Sequence, residues 1–394
     1  MSLLTKYEEN GANWLDEDGN AVPSMLDFLK ERGWNALRVR LFVDPSNASA
    51  ADVGQGVCQD LDYVVALGKR IKAAGFSLML DLHYSDSWAD PSKQWTPKAW
   101  LSLDDDALAT QTYDYTLSVL QAMNDADATP DMVQIGNEIS YGMMWGASGT
   151  TANRCYTSSD DNWERFRKLL AQGSKACREA CPDAKIIVHT ERVSQPQVLT
   201  GIYERLSAID YDVIGLSYYP YWHGNIAQLA KALNALGTRF SDKQIMIVET
   251  GYYHAWQPSS VDYDLSSTYP ITEAGQKAFA EALIAELKNH DAVTGLFWWW
   301  PEACEYGLDW NTKRVTDAWY NAGLWDNSTG RALGALSLLK TFLETDGIAS
   351  AVADEECKKC NIYDVSGRLR GTSFTNKGKR MATRNGRTFI EISK

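Results

Sequence analysis

Two glutamates stand where chemistry is plausible. Met132-Val133-Gln134-Ile135-Gly136-Asn137-Glu138 is an apolar run that ends in Asn-Glu, and Ile245-Met246-Ile247-Val248-Glu249-Thr250 is another that ends in Glu-Thr. A carboxylate at the end of a buried strand suffers desolvation, so it needs either an ion-pair partner or a task. Other apolar runs end in Arg38 and Arg40, His83, His189, Ser217 with Tyr218-Tyr219, and Trp298–Trp300. Two carboxyls with different neighbours can hold different protonation states, one donating a proton while the other stays ionised. Acetal cleavage needs that pair, with the carboxyls roughly 5–5.5 Å apart when the reaction retains configuration. An arginine near the ionised member would hold it charged; Arg38 and Arg40 share one face of their strand, and the pattern does not separate them.

Short β-rich runs alternate with amphipathic stretches, which implies parallel strands joined by crossover helices. The strands are expected at Ala36–Val43, Ser77–His83, Met132–Glu138, Lys185–Thr190, Asp212–Tyr218, Ile245–Thr250 and Gly295–Trp300. Helices are expected near 23–32, 60–74, 104–126, 160–180, 196–208, 225–239, 271–289 and 331–344. Val64, Leu67, Gly68 and Ile71 mark a buried stripe at helical spacing. The pattern fits an α/β fold, a (β/α)8 TIM barrel whose sites gather at the C-terminal ends of the strands. Only Leu3-Leu4 is left to supply a first strand, so that strand is truncated or the count is off by one. An open doubly wound sheet would carry a Gly-rich phosphate loop after an early strand, and none follows 36–43. The barrel is expected over 1–346. From there the rhythm is lost, and 347–394 reads as a small β module with strands Ile362–Val365 and Thr388–Ile392, a turn at Ser366-Gly367 and a hairpin at Asn385-Gly386.

Composition narrows the partners. A net charge of −13 disfavours nucleic acid and anionic membranes, which would be repelled. Fifteen tryptophans and nineteen tyrosines exceed what a core needs and suit stacking on sugar faces. No run is long and apolar enough to span a bilayer, and no export signal is visible. Cys58, Cys155, Cys177, Cys181, Cys304, Cys357 and Cys360 lack zinc-site spacing and read as structural, with at most one or two disulfides.

The chain resembles glycoside hydrolase family 53, the endo-β-1,4-galactanases of the retaining (β/α)8 clan, over roughly residues 4–345. The carriers are Arg38-Val-Arg-Leu-Phe-Val-Asp-Pro45, Leu80-Asp-Leu-His-Tyr-Ser-Asp-Ser-Trp-Ala-Asp-Pro91 and Pro130-Asp-Met-Val-Gln-Ile-Gly-Asn-Glu-Ile139. Ile214-Gly-Leu-Ser-Tyr-Tyr-Pro-Tyr-Trp-His223 and Val248-Glu-Thr-Gly-Tyr252 complete them. The resemblance implies Glu138 as acid/base, Glu249 as nucleophile and Asn137 as the grip on the sugar 2-hydroxyl. Trp299 would stack on the sugar in the cleavage subsite. Arg38, Arg40, His83, Asp86, Trp88, Tyr219, Trp222 and His223 are the remaining candidate sugar-binding residues, while Trp325 reads as packing. The implied substrate is the β-1,4-galactan of pectin side chains, cut internally by an exported, monomeric enzyme. Within the clan, mannan, xylan and glucan remain rival substrates, and a polysaccharide-binding protein without catalysis is the rival of another class. The chain departs from the family in two places: the family's initial Gly-Ala-Asp strand is missing, and Trp300 stands where the family has a carboxylate. No cofactor is expected. Some bacterial relatives hold calcium between late loops, but Asp262 and Asp264 in the loop 253–270 are not spaced as an oxygen cage.

Overall fold

The structure is a computed structural model, and it describes residues 1–257, 261–309, 311, 313–316, 320–344 and the strands 360–363, 369–373, 379–384 and 387–392. Two compact units divide the chain, Met1–Leu343 and Glu344–Lys394. The first carries seven strands: β1 (Ala36–Leu41), β2 (Ser77–Leu82), β3 (Met132–Ile135), β4 (Lys185–Thr190), β5 (Val213–Tyr218), β6 (Gln244–Thr250) and β7 (Val293–Trp298). All neighbouring pairs are parallel and follow chain order, so the sheet curls round as seven strands of a barrel. Helices Leu61–Ala73, Asp105–Asp125, Trp163–Ala180, Pro196–Arg205, Ile226–Arg239 and Glu273–Leu287 make the crossovers. Their starts follow from sequence. Asp60, Asp104, Asn225 and Thr272 each accept a backbone N–H of the first turn, and Asn225 with Gln228 forms a reciprocal capping box.

The expected first strand is not at Leu3-Leu4. Leu4 opens a helix, Leu4–Asn10, and Met1 and Ser2 before it lie against β1. There the Met1 nitrogen donates to Arg38 O at 3.0 Å, and Arg40 N donates to Ser2 Oγ at 3.0 Å. Glu302 accepts the Leu3 N–H at 2.7 Å and fixes this segment from the other side. β1 and β7 are not paired with each other; a cavity of about 210 Å³, lined by Leu37, Gly295, Phe297 and Trp298 among others, lies between their edges. The expected helix over 331–344 is likewise shorter, with one α turn at Gly334–Leu338 followed by a 3-10 turn at Leu339–Phe342.

Alternation sorts the strand residues into layers. Met79, Met132, Ile187, Val213, Met246, Val248 and Phe297 form the apolar floor inside the curled sheet, with Ala36 against it. The outward-facing set, including Leu37, Val39, Leu78, Leu80, Val133, Ile186, Val188, Ile214 and Leu216, packs beneath the helices. One residue further along the inward face, the floor gives way to polar groups. Val248 occupies an irregularity in the β5–β6 register, which pairs Ser217 with Glu249 after Leu216 has paired with Ile247.

The second unit has strands at Cys360–Tyr363 paired with Leu369–Ser373, and Lys379–Arg384 paired with Arg387–Ile392, each pair antiparallel. The expected turns at Ser366-Gly367 and Asn385-Gly386 lie outside the described residues. Cys58, Cys155, Cys177, Cys181 and Cys304 are free thiols. Among the described residues no helix is long and apolar enough to cross a membrane.

Gly215 on β5 tests the packing of the floor. A Cβ there would stand 2.7 Å from Ile187 Cγ2 and 3.4 Å from both Val248 methyls. Gly215→Ala should cost about 1–3 kcal/mol, the usual penalty for overpacking, read as a lower urea midpoint with an unchanged slope.

Candidate active site

Above the floor, the inward side chains of six strands build one polar layer. Arg38 (β1), Asp81 (β2), Gln134 (β3), His189 (β4), Ser217 (β5) and Glu249 (β6) are all buried. Arg38 Nη2 lies 2.8 Å from Asp81 Oδ2, 2.9 Å from Glu249 Oε1 and 2.9 Å from Asn137 Oδ1, while its Nε donates to Gln134 Oε1 at 3.1 Å. Gln134 in turn donates to Asp81 Oδ1 at 2.5 Å. His83 Nε2 is 3.0 Å from Asp81 Oδ2, and Ala89 N donates to its Nδ1. Burial would raise the Asp81 carboxyl, but the Arg38 guanidinium and the His83 ring hold it down at about 2.

Glu138 and Glu249 face the same cleft, a space of about 590 Å³. Glu249 comes off the end of β6 with two partners: Arg38, and the Tyr219 hydroxyl, which donates to Oε2 at 3.0 Å. Burial, with the Asp81 charge, raises its carboxyl on balance, and Arg38 with Tyr219 limits that rise. Glu138 sits past the end of β3 on the same cleft. Burial first, then the charges of Glu249 and Glu191, push it well above the usual carboxylate range, while the Ser217 hydroxyl pulls the other way. Its backbone is in the left-handed region at φ 49°, following Gly136 at φ 92°. Gln94 Nε2 pins this turn through Asn137 O at 2.8 Å, and His189 Nδ1 accepts the Glu138 N–H at 3.3 Å. Asn137 itself donates to Ala89 O at 2.8 Å, so its carbonyl faces Arg38. The two carboxyls thus differ in their surroundings: Glu249 has a cation beside it, whereas Glu138 is pushed further toward its protonated form.

Aromatic rings close the cleft. Trp88, Trp222, Trp299 and Trp300 line it together with Tyr219 and His223. Trp299 and Trp300 stack at 5.3 Å and 19°, and Trp88 packs against both at about 6 Å. His223 accepts the Tyr219 N–H at 2.9 Å through Nδ1, and burial pushes its pKa down to about 3.

These observations meet the comparisons with known proteins. The sequence model of glycosyl hydrolase family 53 matches residues 1–339. The chain belongs to that family. It is 32% identical to the arabinogalactan endo-β-1,4-galactanase A of Aspergillus niger, over 76% of this chain and 83% of that protein. Among solved structures it is similar to the Ignisphaera aggregans family 53 catalytic domain, with a TM-score of 0.74 and 33% identity, covering 86% and 93% of the two chains. A fungal β-1,4-galactanase gives a TM-score of 0.70 at 26% identity, covering 86% and 97%.

Family membership makes the placement of each candidate residue informative. Glu138, Glu249, Asn137, Trp88, Tyr219, Trp222, His223 and Trp299 line the cleft. Arg38 and His83 lie behind it, acting on Glu249 and Asp81. The structure separates the two arginines. Arg40 makes no contact with Glu249; it is buried against Trp88, with its guanidinium 4.4 Å from that ring and about 5.5 Å from Trp299 and Trp300. Burial lowers its pKa to about 10. Asp86 is not a cleft-lining residue: its Oδ2 accepts from Lys98 N and Asn47 Nδ2 and ties a loop. Trp325 is buried and donates to Pro301 O, a packing role. Among the described residues no group of three His, Cys, Asp or Glu is arranged to hold a metal.

Sequence reasoning underrated His189 and missed Gln94, Asp90 and Glu191. His189 is fully buried at 3.0 Å from Asn137 and 2.9 Å from Ser217, and burial with the Arg38 charge keeps it neutral. Glu191 carried a usable signal, since it ends an apolar run in a carboxylate as Glu138 and Glu249 do.

The Asp81–Arg38 pair should dominate acid sensitivity. Asp81 is depressed in the folded state, so its stabilisation is present above about pH 4 and is lost as pH falls toward 2. Asp81→Asn should cost about 3 kcal/mol at neutral pH, and the gap to the native protein should narrow between pH 4 and 2, measured by urea unfolding across that range.

Proposed function

We propose that this enzyme is a retaining endo-β-1,4-galactanase acting on the galactan side chains of pectin (type I arabinogalactan) outside the cytoplasm. Glu138 is its general acid/base and Glu249 its nucleophile. The observation that carries the reading is the unequal environment of the two carboxyls on one cleft: Arg38 beside Glu249, and the charges of Glu249 and Glu191 bearing on Glu138. Hydrolysis then runs in two halves. Glu249 attacks the anomeric carbon while Glu138 passes its proton to the leaving oxygen. Glu138, now ionised, takes a proton from water as that water releases the sugar from Glu249. Tyr219, whose hydroxyl already touches Glu249, can follow the charge on that oxygen through the cycle. Asn137, fixed by Arg38 and Ala89, presents its amide beside the reacting sugar.

Support for galactan comes from the galactanase activity in the names of the A. niger enzyme and the fungal structures. The open, aromatic-walled cleft supports internal cutting of a polymer. Product analysis tests the reading: linear β-1,4-galactan should yield a ladder of short oligosaccharides, whereas mannan and xylan should yield none. Preference for mannan or xylan would overturn the substrate.

The carboxylates give a second check. Glu249→Ala should lower kcat on galactan about 10⁴-fold with binding retained. Glu138→Ala should lose about 10³-fold on galactan and clearly less on an aryl galactoside, whose leaving group needs no proton. The rate should fall at low pH as Glu249 gains a proton and at high pH as Glu138 loses one. Arg38→Ala should shift the acid limb to higher pH, because the cation that favours ionised Glu249 is gone.

A further inference from the structure

Glu191 is a third carboxyl in the cleft, and the protein gives it too little to do. Ile187, His189 and Glu191 share the inward face of β4 and its extension: Ile187 in the floor, His189 in the polar layer, Glu191 at the cleft. The side chain is 6% exposed. One oxygen accepts the Ser140 hydroxyl; the other, Oε2, is buried with no hydrogen-bond partner among the described residues. Burial pushes this carboxyl up to about 7, against the Ser140 bond and the Arg192 charge. A buried carboxyl with one oxygen unsatisfied costs stability, and its negative charge also bears on Glu138. Packing alone would be served better by an apolar residue of similar size.

Its position indicates what completes it. Glu191 is linked through Ser140 to the turn that carries Glu138, on the adjacent strand β4, whereas Trp299 and Trp300 close the cleft from β7. Under the proposed function, the acid/base delivers its proton to the leaving oxygen, so the space beside Glu138 receives the leaving sugar. We infer that Glu191 binds a hydroxyl of the leaving-group galactose, taking it on Oε2 and so selecting a sugar over other leaving groups. This inference rests on the galactanase reading and adds a leaving-sugar contact to it.

The test compares two substrates. Galactotetraose places a sugar beside Glu191 when cleaved; an aryl β-galactobioside places an aromatic ring there. The readout is the ratio of kcat/KM for the tetraose to that for the aryl substrate, in native enzyme, Glu191→Gln and Glu191→Ala. A loss of active protein scales both substrates equally and cancels. The glutamine variant also keeps an oxygen for Ser140. The ratio should fall about 10- to 100-fold in Glu191→Ala, the usual range for a charge-assisted hydrogen bond, and by less in Glu191→Gln. A ratio within twofold of native in both variants overturns the assignment, and so does a fall in the ratio that vanishes at pH values low enough to keep Glu138 protonated in every variant, because an electrostatic effect of Glu191 on Glu138 slows only the substrate that needs its proton. Native enzyme that cleaves the aryl substrate but leaves galactotetraose intact overturns the galactanase reading instead, and the contact with it.

Discussion

Arg38 Nη2 stands within 2.9 Å of Asp81, Asn137 and Glu249, and everything distinctive about the site follows from that sharing. One buried cation serves two buried carboxylates, so the cluster keeps a net negative charge in a low-dielectric interior. Asp81 takes the larger part. It has His83 and Gln134 besides, and it stays ionised at any ordinary pH. Glu249 is left with one guanidinium nitrogen and one phenol, enough to hold charge but not to bury it inertly. A carboxylate tied down as firmly as Asp81 would be a poor nucleophile. Glu138, on the same cleft, instead has the charges of Glu249 and Glu191 bearing on it, which with burial push it toward its protonated form.

This arrangement depends on register. Residues at equal height on six parallel strands meet because inward side chains alternate with outward ones, and the apolar floor beneath them fixes that height. The register irregularity at Val248 adjusts one member: with strict alternation after Val248, Glu249 would face the helices instead of Arg38. At the strand ends the backbone departs from ordinary conformations. Tyr84, Glu138 and Trp300 all have φ between 45° and 49°, following β2, β3 and β7. Such geometry costs of order 1–3 kcal/mol per residue and persists where surrounding contacts over-determine it. Around Glu138 those contacts are Gln94, His189 and Asn137.

Much of this was legible in sequence, for identifiable reasons. Apolar runs that end in Glu, His or Arg reveal both the strand and its functional end, so Glu138 and Glu249 stood out. What alternation cannot give is depth. Arg38 and Arg40 are equivalent by pattern, yet one meets carboxylates and the other a wall of indoles, because Trp299 and Trp300 come from a distant part of the chain. His189 was ambiguous for the same reason: its partners, Asn137 and Ser217, lie 52 and 28 residues away. The first strand was misplaced because Leu3-Leu4 is apolar enough for a strand, whereas the pattern Leu3, Leu4, Tyr7 also makes one face of a helix that buries all three side chains.

The balance of charge in the cleft also bears on what enters it. Its described lining includes Asp90, Glu138, Glu191 and Glu249 against Lys93. A chain of uronic acids would bring negative charge into a partly desolvated space lined by four carboxyl groups and one lysine, an unfavourable step at any ionic strength low enough to leave the site unscreened. A neutral sugar carries no such penalty, and its hydroxyls can satisfy the carboxyl oxygens that the protein leaves open. As the glycosidic bond breaks, positive charge develops on the sugar ring, so the same negative field that rejects an acidic polymer stabilises the transition state. On the proposed reading, selection against an acidic polymer and acceleration of glycosidic cleavage therefore draw on one electrostatic feature, the carboxyl-rich lining of the cleft.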